Sequence, residues 1–106
     1  MFQREFERIP VNIQVKYFNG ITEHFGTITN LTEKGMFIRT RVSFPMKPRL
    51  RIIIPLEKDI LRVSACIRSF GLSRNSYSGL GVEILDPRQN YLDFVGGLRS
   101  ATKMPA

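Results

Sequence analysis

The chain has 106 residues, 16 Lys and Arg against 9 Asp and Glu, a formal net charge of +7, and 42% hydrophobic residues. That length holds one compact domain and excludes two, and the apolar share excludes global disorder. The charge excess favours an anionic partner (nucleotide, nucleic acid, acidic protein or membrane surface), while the lone cysteine, Cys66, excludes a disulfide framework or a cysteine metal cluster. No apolar run reaches the length of a membrane span, and the first nine residues are charged rather than leader-like, so a cytoplasmic protein is the expectation.

Arg4 and Arg8 stand at R-x-x-x-R spacing. Pro10 disfavours helix at Ile9, so residues 1–9 read as an extended arm entering the first strand. Val11, Ile13, Val15 and Tyr17 alternate with Asn12, Gln14 and Lys16, the period of a half-buried strand. Asn19-Gly20 is the pair favoured in a type I′ hairpin turn, and a second strand is expected over residues 21–31. Glu33-Lys34-Gly35 turns the chain, with Gly35 expected to take a positive φ, and residues 36–41 return as a third strand. Pro45 and Pro48 bracket a loop. Residues 49–56 form a fourth strand with Leu50, Ile52 and Ile54 on one face. In a fifth, over 60–72, Leu61, Val63, Ala65 and Ile67 face one way and Arg62, Ser64, Cys66 and Arg68 the other. Residues 73–79 read as a polar loop and 80–85 as a sixth strand.

The period then changes. Asp86-Pro87 reads as an N-cap followed by proline at the first helical position. Tyr91, Leu92, Phe94, Val95 and Leu98 recur at helical spacing, and Gly96-Gly97 is expected to weaken the helix near its end, with fraying from residue 99. Six strands with regular turns point to an antiparallel barrel or sandwich over 11–85, with a helix over 86–99 docked by its apolar stripe. The eight Phe and three Tyr read as core.

Few residues carry chemistry. Arg4 and Arg8 supply guanidinium forks able to bind phosphate or a guanine edge bidentately. Asn30 and Thr32, two apart at the end of the second strand, project on one face ahead of Gly35, in the pattern N-x-T-x-x-G, and offer either ligand contacts or side-chain caps to their own turn. His24 has no partner at catalytic spacing and reads as structural. Gly79 and Gly81 read as bends in a barrel rather than ligand contacts. Arg68 is a secondary candidate at the edge of the site. Nothing has the form of a triad, metal site or P-loop, so no enzyme is expected.

R-x-x-x-R before Ile-Pro-Val and a strand, N-x-T-x-x-G at the end of the next strand, then Met-Phe-Ile-Arg-Thr and Gly-Leu-Gly-Val-Glu-Ile together resemble the PilZ domain over about residues 3–98. The resemblance implies a six-stranded antiparallel β-barrel with a C-terminal helix and a bacterial receptor for cyclic di-GMP, with no other cofactor. It implies that Arg4 and Arg8 bind guanine edges and phosphates while Asn30, Thr32 and Gly35 line the other wall. Thr32 replaces the family's usual serine and keeps the hydroxyl. Gln3 stands where many members carry another arginine, a position tied to whether one or two ligand molecules stack. With no effector domain in the chain, output is expected through a downstream protein partner, by ordering of the N-terminal arm, whose apolar anchors are only Phe2 and Phe6. Two rivals stand beside this reading: a small basic barrel binding RNA or DNA, disfavoured by the lack of stacking aromatics, and a PilZ-like protein adaptor without nucleotide.

Overall fold

Apolar alternation along the chain resolves into six strands: β1 (Ile9–Asn19), β2 (Thr22–Leu31), β3 (Gly35–Arg39), β4 (Arg49–Pro55), β5 (Ile60–Ser73) and β6 (Ser76–Ile84), followed by helix α1 (Gln89–Lys103). The computed structural model describes residues 7–73 and 76–103. The strands pair antiparallel into a closed barrel in the order β1-β2-β3-β6-β5-β4. Closure is made by a short β1–β4 ladder in which Tyr17 faces Ile52. A closed sheet leaves no strand edge for unwanted pairing. The 40–48 loop carries the chain from β3 across to β4, and its Phe44-Pro45 bond is cis.

The inward positions are those the alternation marks. Val15 and Tyr17 of β1, Leu50, Ile52 and Ile54 of β4, and Leu61, Val63 and Ala65 of β5 are all buried. The core is aliphatic, contrary to the expectation that the aromatics fill it. Tyr17 and Tyr91 are buried, but Phe25, Phe44, Phe70 and Tyr77 are exposed, and Phe44, Phe70 and Tyr77 pack on one another outside the barrel at 5.1–5.6 Å between ring centres. A six-stranded barrel has a narrow interior, and branched aliphatics fill it more closely than rings. Tyr17 enters because its phenol finds a partner: it donates to Thr40 Oγ1 at 3.1 Å, and that hydroxyl donates to the Phe25 carbonyl at 2.8 Å. Burial pushes the Tyr17 phenol pKa up, and the Thr40 bond opposes part of that shift. His24 stacks on the Tyr17 ring at 5.0 Å, a packing role for the lone histidine.

Three local expectations are corrected. The first hairpin pairs Asn19 with Thr22, so its central residues are Gly20-Ile21 and not Asn19-Gly20. Gly20 has φ +67 and Ile21 does not share the positive φ, which is the pattern of a type II′ turn. Next, β6 starts at Ser76 and not at residue 80, because the polar stretch pairs with β5 from Ser73↔Ser76 onward. Finally, Asp86 is not the N-cap. It sits in the left-handed region at φ 49, which Asp tolerates, and the Arg88 carbonyl accepts the first helical N–H groups, from Tyr91 at 3.0 Å and Leu92 at 3.1 Å.

The helix docks through the stripe read from sequence. Tyr91 and Val95 are buried, and Leu92, Phe94 and Leu98 pack against the core. Burying one such side chain contributes ~1.5–3 kcal/mol. That docking carries α1 through the exposed Gly96-Gly97 pair to Lys103, beyond the expected fraying point.

Candidate functional site

Two bulges and one register row build a cleft on the outer wall of the barrel. Between Ile28 and Asn30 the β2–β3 ladder takes two steps on β2 for one on β3, which sets Asn30 opposite Phe37. Phe37 faces Gly81 on β6, and Gly81 faces Ser69 on β5. Asn30, Phe37, Gly81 and Ser69 thus form one outward row across four strands. A second bulge, between Ile67 and Ser69, turns Arg68 out beside that row. The row floors an open cleft of about 510 Å³, also lined by Arg8, Thr32, Lys34, Gly35 and Glu83.

Arg8 reaches this cleft from the residues leading into β1, and Thr32 from the β2–β3 turn. Thr32 Oγ1 accepts the N–H of Lys34 at 3.0 Å and of Gly35 at 3.2 Å, while its own N–H donates to the Gly35 carbonyl at 2.8 Å. The hydroxyl therefore shapes the turn and keeps its proton for donation. A serine would make the same bonds; the extra methyl restricts χ1.

Gly35 corrects an expectation. It lies within β3 at an ordinary strand φ, and the need for glycine is close approach. A Cβ there would stand 2.5 Å from the Val82 carbonyl oxygen on β6. Gly81 lines the cleft, and a Cβ on it would collide with Ser69 Oγ. Gly71 and Gly79 make room for the ring of Phe37, which lies across them.

The electrostatics separate the cations. Arg68 donates from Nε to Glu83 Oε1 at 2.6 Å, and this bond raises the guanidinium pKa further. Arg68 thus borders the cleft as half of an exposed ion pair. The turn is held from outside the cleft by helix α1. Tyr91 donates its phenol to the Thr32 carbonyl at 2.7 Å, and burial pushes its pKa well above the ordinary tyrosine value. Arg99 grips Glu33 with two bonds, Nε to Oε2 at 2.7 Å and Nη2 to Oε1 at 2.6 Å, and also donates to the Glu7 carbonyl at 2.7 Å. One guanidinium thus joins helix, turn and the residue preceding Arg8.

Of the residues singled out in the sequence, Arg8, Asn30, Thr32, Gly35 and Arg68 share this cleft. Gln3, Arg4 and the rest of the arm through residue 6 lie outside the described residues. Sequence reasoning missed Lys34, Phe37, Ser69, Gly81 and Glu83. The signal for two of them was strict alternation: Phe37 lies between buried Met36 and Ile38, and Gly81 between buried Leu80 and Val82. Among the described residues no group of three His, Cys, Asp or Glu could hold a metal ion, and no helix is long and apolar enough to cross a membrane. The cleft can offer a guanidinium, an ammonium, an amide, a hydroxyl and an aromatic ring to a ligand carrying both charge and flat surface.

A family model for the PilZ domain matches residues 2–95. Among solved structures the chain is similar to the Bacillus subtilis inhibitor of motility, MotI/DgrA, with a TM-score of 0.75 and 16% identity over 99% of this chain and 55% of that one. It is also similar to the PilZ domain of Escherichia coli YcgR with c-di-GMP, at TM-score 0.71 and 12% identity over 96% of this chain and 95% of that one. A third, Borreliella burgdorferi PlzA in complex with c-di-GMP, gives TM-score 0.67 and 15% identity over 96% and 55%. The chain spans about half the length of MotI/DgrA and of PlzA. No curated protein sequence matches it. At these identities the structural likenesses carry the fold; the family match carries membership, and the chain belongs to the PilZ domain family.

Proposed function

We propose that this PilZ domain is a receptor for cyclic di-GMP, held in the cleft between Arg8 and the wall of Asn30, Thr32 and Gly35. The observation that carries the reading is convergence: the second arginine of R-x-x-x-R and all three marked residues of N-x-T-x-x-G meet in one cleft from separate segments. Two structural neighbours contain the same ligand. In this reading Arg8, joined by Arg4, binds guanine edges or phosphate through its fork, with which lysine's point charge cannot compete in geometry. Asn30 and Thr32 supply neutral donors and acceptors, and Phe37 offers a flat apolar contact. Lys34 adds a cation on the same side. Arg68, paired with Glu83, is a secondary contact, and Gln3 bears on whether one or two ligands stack.

The molecule then acts as a cytoplasmic binding module and not as an enzyme. Ligand would order the arm over the barrel wall, and the altered surface would be read by a downstream protein. Calorimetric titration with cyclic di-GMP tests the first step. Wild type should bind, and Arg8→Ala should lose about 1–3 kcal/mol, the worth of one bidentate contact. Amide exchange over residues 1–8, ahead of β1, with and without ligand, tests the second. No heat of binding for wild type would reject the receptor reading in favour of a nucleotide-independent adaptor, and an arm equally protected in both states would reject the ordering step.

A further inference from the structure

We propose that the outer face of β1, β4 and β5, centred across the barrel from the cleft described above, docks an acidic segment of a partner protein. Alternation sets the face. With Leu50 and Ile52 inside, Arg49 and Arg51 point outward from β4; with Leu61 and Val63 inside, Arg62 points outward from β5. The register places Arg51 between Ser64 on one neighbouring strand and Phe18 on the other, with Arg49 opposite Cys66 and Arg62 opposite Ile53. Lys47 is fixed at the rim, its backbone bracketed by the Asn19 amide at 2.8 and 2.9 Å.

These side chains enclose a cleft of about 540 Å³ lined by Phe18, Lys47, Arg49, Arg51 and the half-buried Leu85, with no carboxylate in its lining. A smaller recess adjoins it, sharing Arg49 and adding Arg62 and Arg88; its one carboxylate is Asp86. Among the described residues, ion pairs join Lys16 to Glu23, Arg68 to Glu83 and Arg99 to Glu33. Among the described residues no carboxylate makes an ion pair with Lys47, Arg49, Arg51, Arg62 or Arg88. Clustered like charges on adjacent strands oppose folding, and Asp86 is the one carboxylate lining these two recesses, so an anionic partner would offset the remainder.

The chemistry favours protein over nucleic acid. Single strands are held by stacking bases on free aromatic faces. Phe18 is the aromatic of this cleft, and its ring is covered by the Arg51 guanidinium at 5.1 Å. An apolar floor ringed by guanidiniums matches a segment in which Asp or Glu alternates with Leu-like side chains.

The test uses a fluorescein-labelled peptide alternating Glu and Leu, with an oligouridine and anionic phosphatidylglycerol vesicles as competing probes. The peptide should bind the intact chain, and shifts of amide resonances should map to β4 and β5. Arg49→Glu and Arg62→Glu should each weaken it roughly tenfold, while Arg39→Glu, on β3 across the barrel, should change it little. All three arginines are exposed, and a melting curve for each variant is to match that of wild type. Equal weakening by Arg39→Glu, no binding of the peptide, or tighter binding of the oligouridine or vesicles through the same arginines would overturn the proposal. It does not depend on cyclic di-GMP, so it can fail while the receptor reading stands.

Discussion

Replacing Arg99 with alanine should weaken a site that Arg99 does not line. Its guanidinium makes two bonds to Glu33, in the turn between Thr32 and Gly35, and one to the carbonyl of Glu7, beside Arg8. The two side chains are 20% and 21% exposed, so the pair lies between two regimes. Exposed pairs contribute about 0–1 kcal/mol, and breaking a fully buried pair costs about 3–5 kcal/mol. The shared bidentate geometry and the residual screening together place Arg99→Ala at about 1–2 kcal/mol of stability. For a domain of this size that lowers Tm by roughly 5–10 °C. Both walls of the cleft lose their common anchor, so cyclic di-GMP affinity should fall as well, by ~1 kcal/mol for ordering the turn and arm on binding. Arg99→Lys restores charge without the fork and should recover part of each loss. Thermal melts and calorimetry on the two variants measure both quantities. An Arg99→Ala protein with unchanged Tm and unchanged affinity would refute the coupling. Lowered Tm with unchanged affinity would confine Arg99 to holding the helix.

Gly35→Ala should destabilise the barrel by ~1–3 kcal/mol, because the new methyl meets the Val82 carbonyl oxygen on β6 and backbone must shift; denaturant unfolding reads it, and a neutral result would contradict the close-approach account. Gly96→Ala and Gly97→Ala should each stabilise the protein, by up to about 1 kcal/mol, since open space surrounds both positions and alanine favours helix. A lowered Tm in either variant would show an unseen constraint on that stretch. The phenol of Tyr91 has its pKa raised by burial from the ordinary value of 10.0. Between that value and the folded one, the unfolded chain gives up a proton that the folded chain keeps, so stability is full below pH 10 and falls as pH rises beyond it. Tyr91→Phe should remove its own share of that alkaline fall and leave the share of Tyr17, whose phenol is also raised by burial, while costing about 1 kcal/mol at neutral pH for the lost bond to the Thr32 carbonyl. Unfolding followed across alkaline pH would detect an unflattened slope.

Sequence alone determined the strands whose apolar residues alternate cleanly, such as Leu50, Ile52 and Ile54, because a period of two is a local property that burial of one face enforces. It also determined the stripe of α1, and it marked Arg8, Asn30, Thr32, Gly35 and Arg68, which share the candidate cleft. The rest depended on which strand lies beside which. Residues 76–79 look like loop, yet become strand because β5 supplies their hydrogen-bond partners. Gly35 looks like a turn glycine, but the approach of β6 makes it necessary, and Phe37 enters the cleft because a bulge on β2 brings Asn30 opposite it. Residue 99 reads as the start of a fraying end until docking of α1 brings Arg99 to Glu33, 66 residues earlier. Registers, bulges and docking are contacts between segments far apart in the chain, and local periodicity carries no information about them.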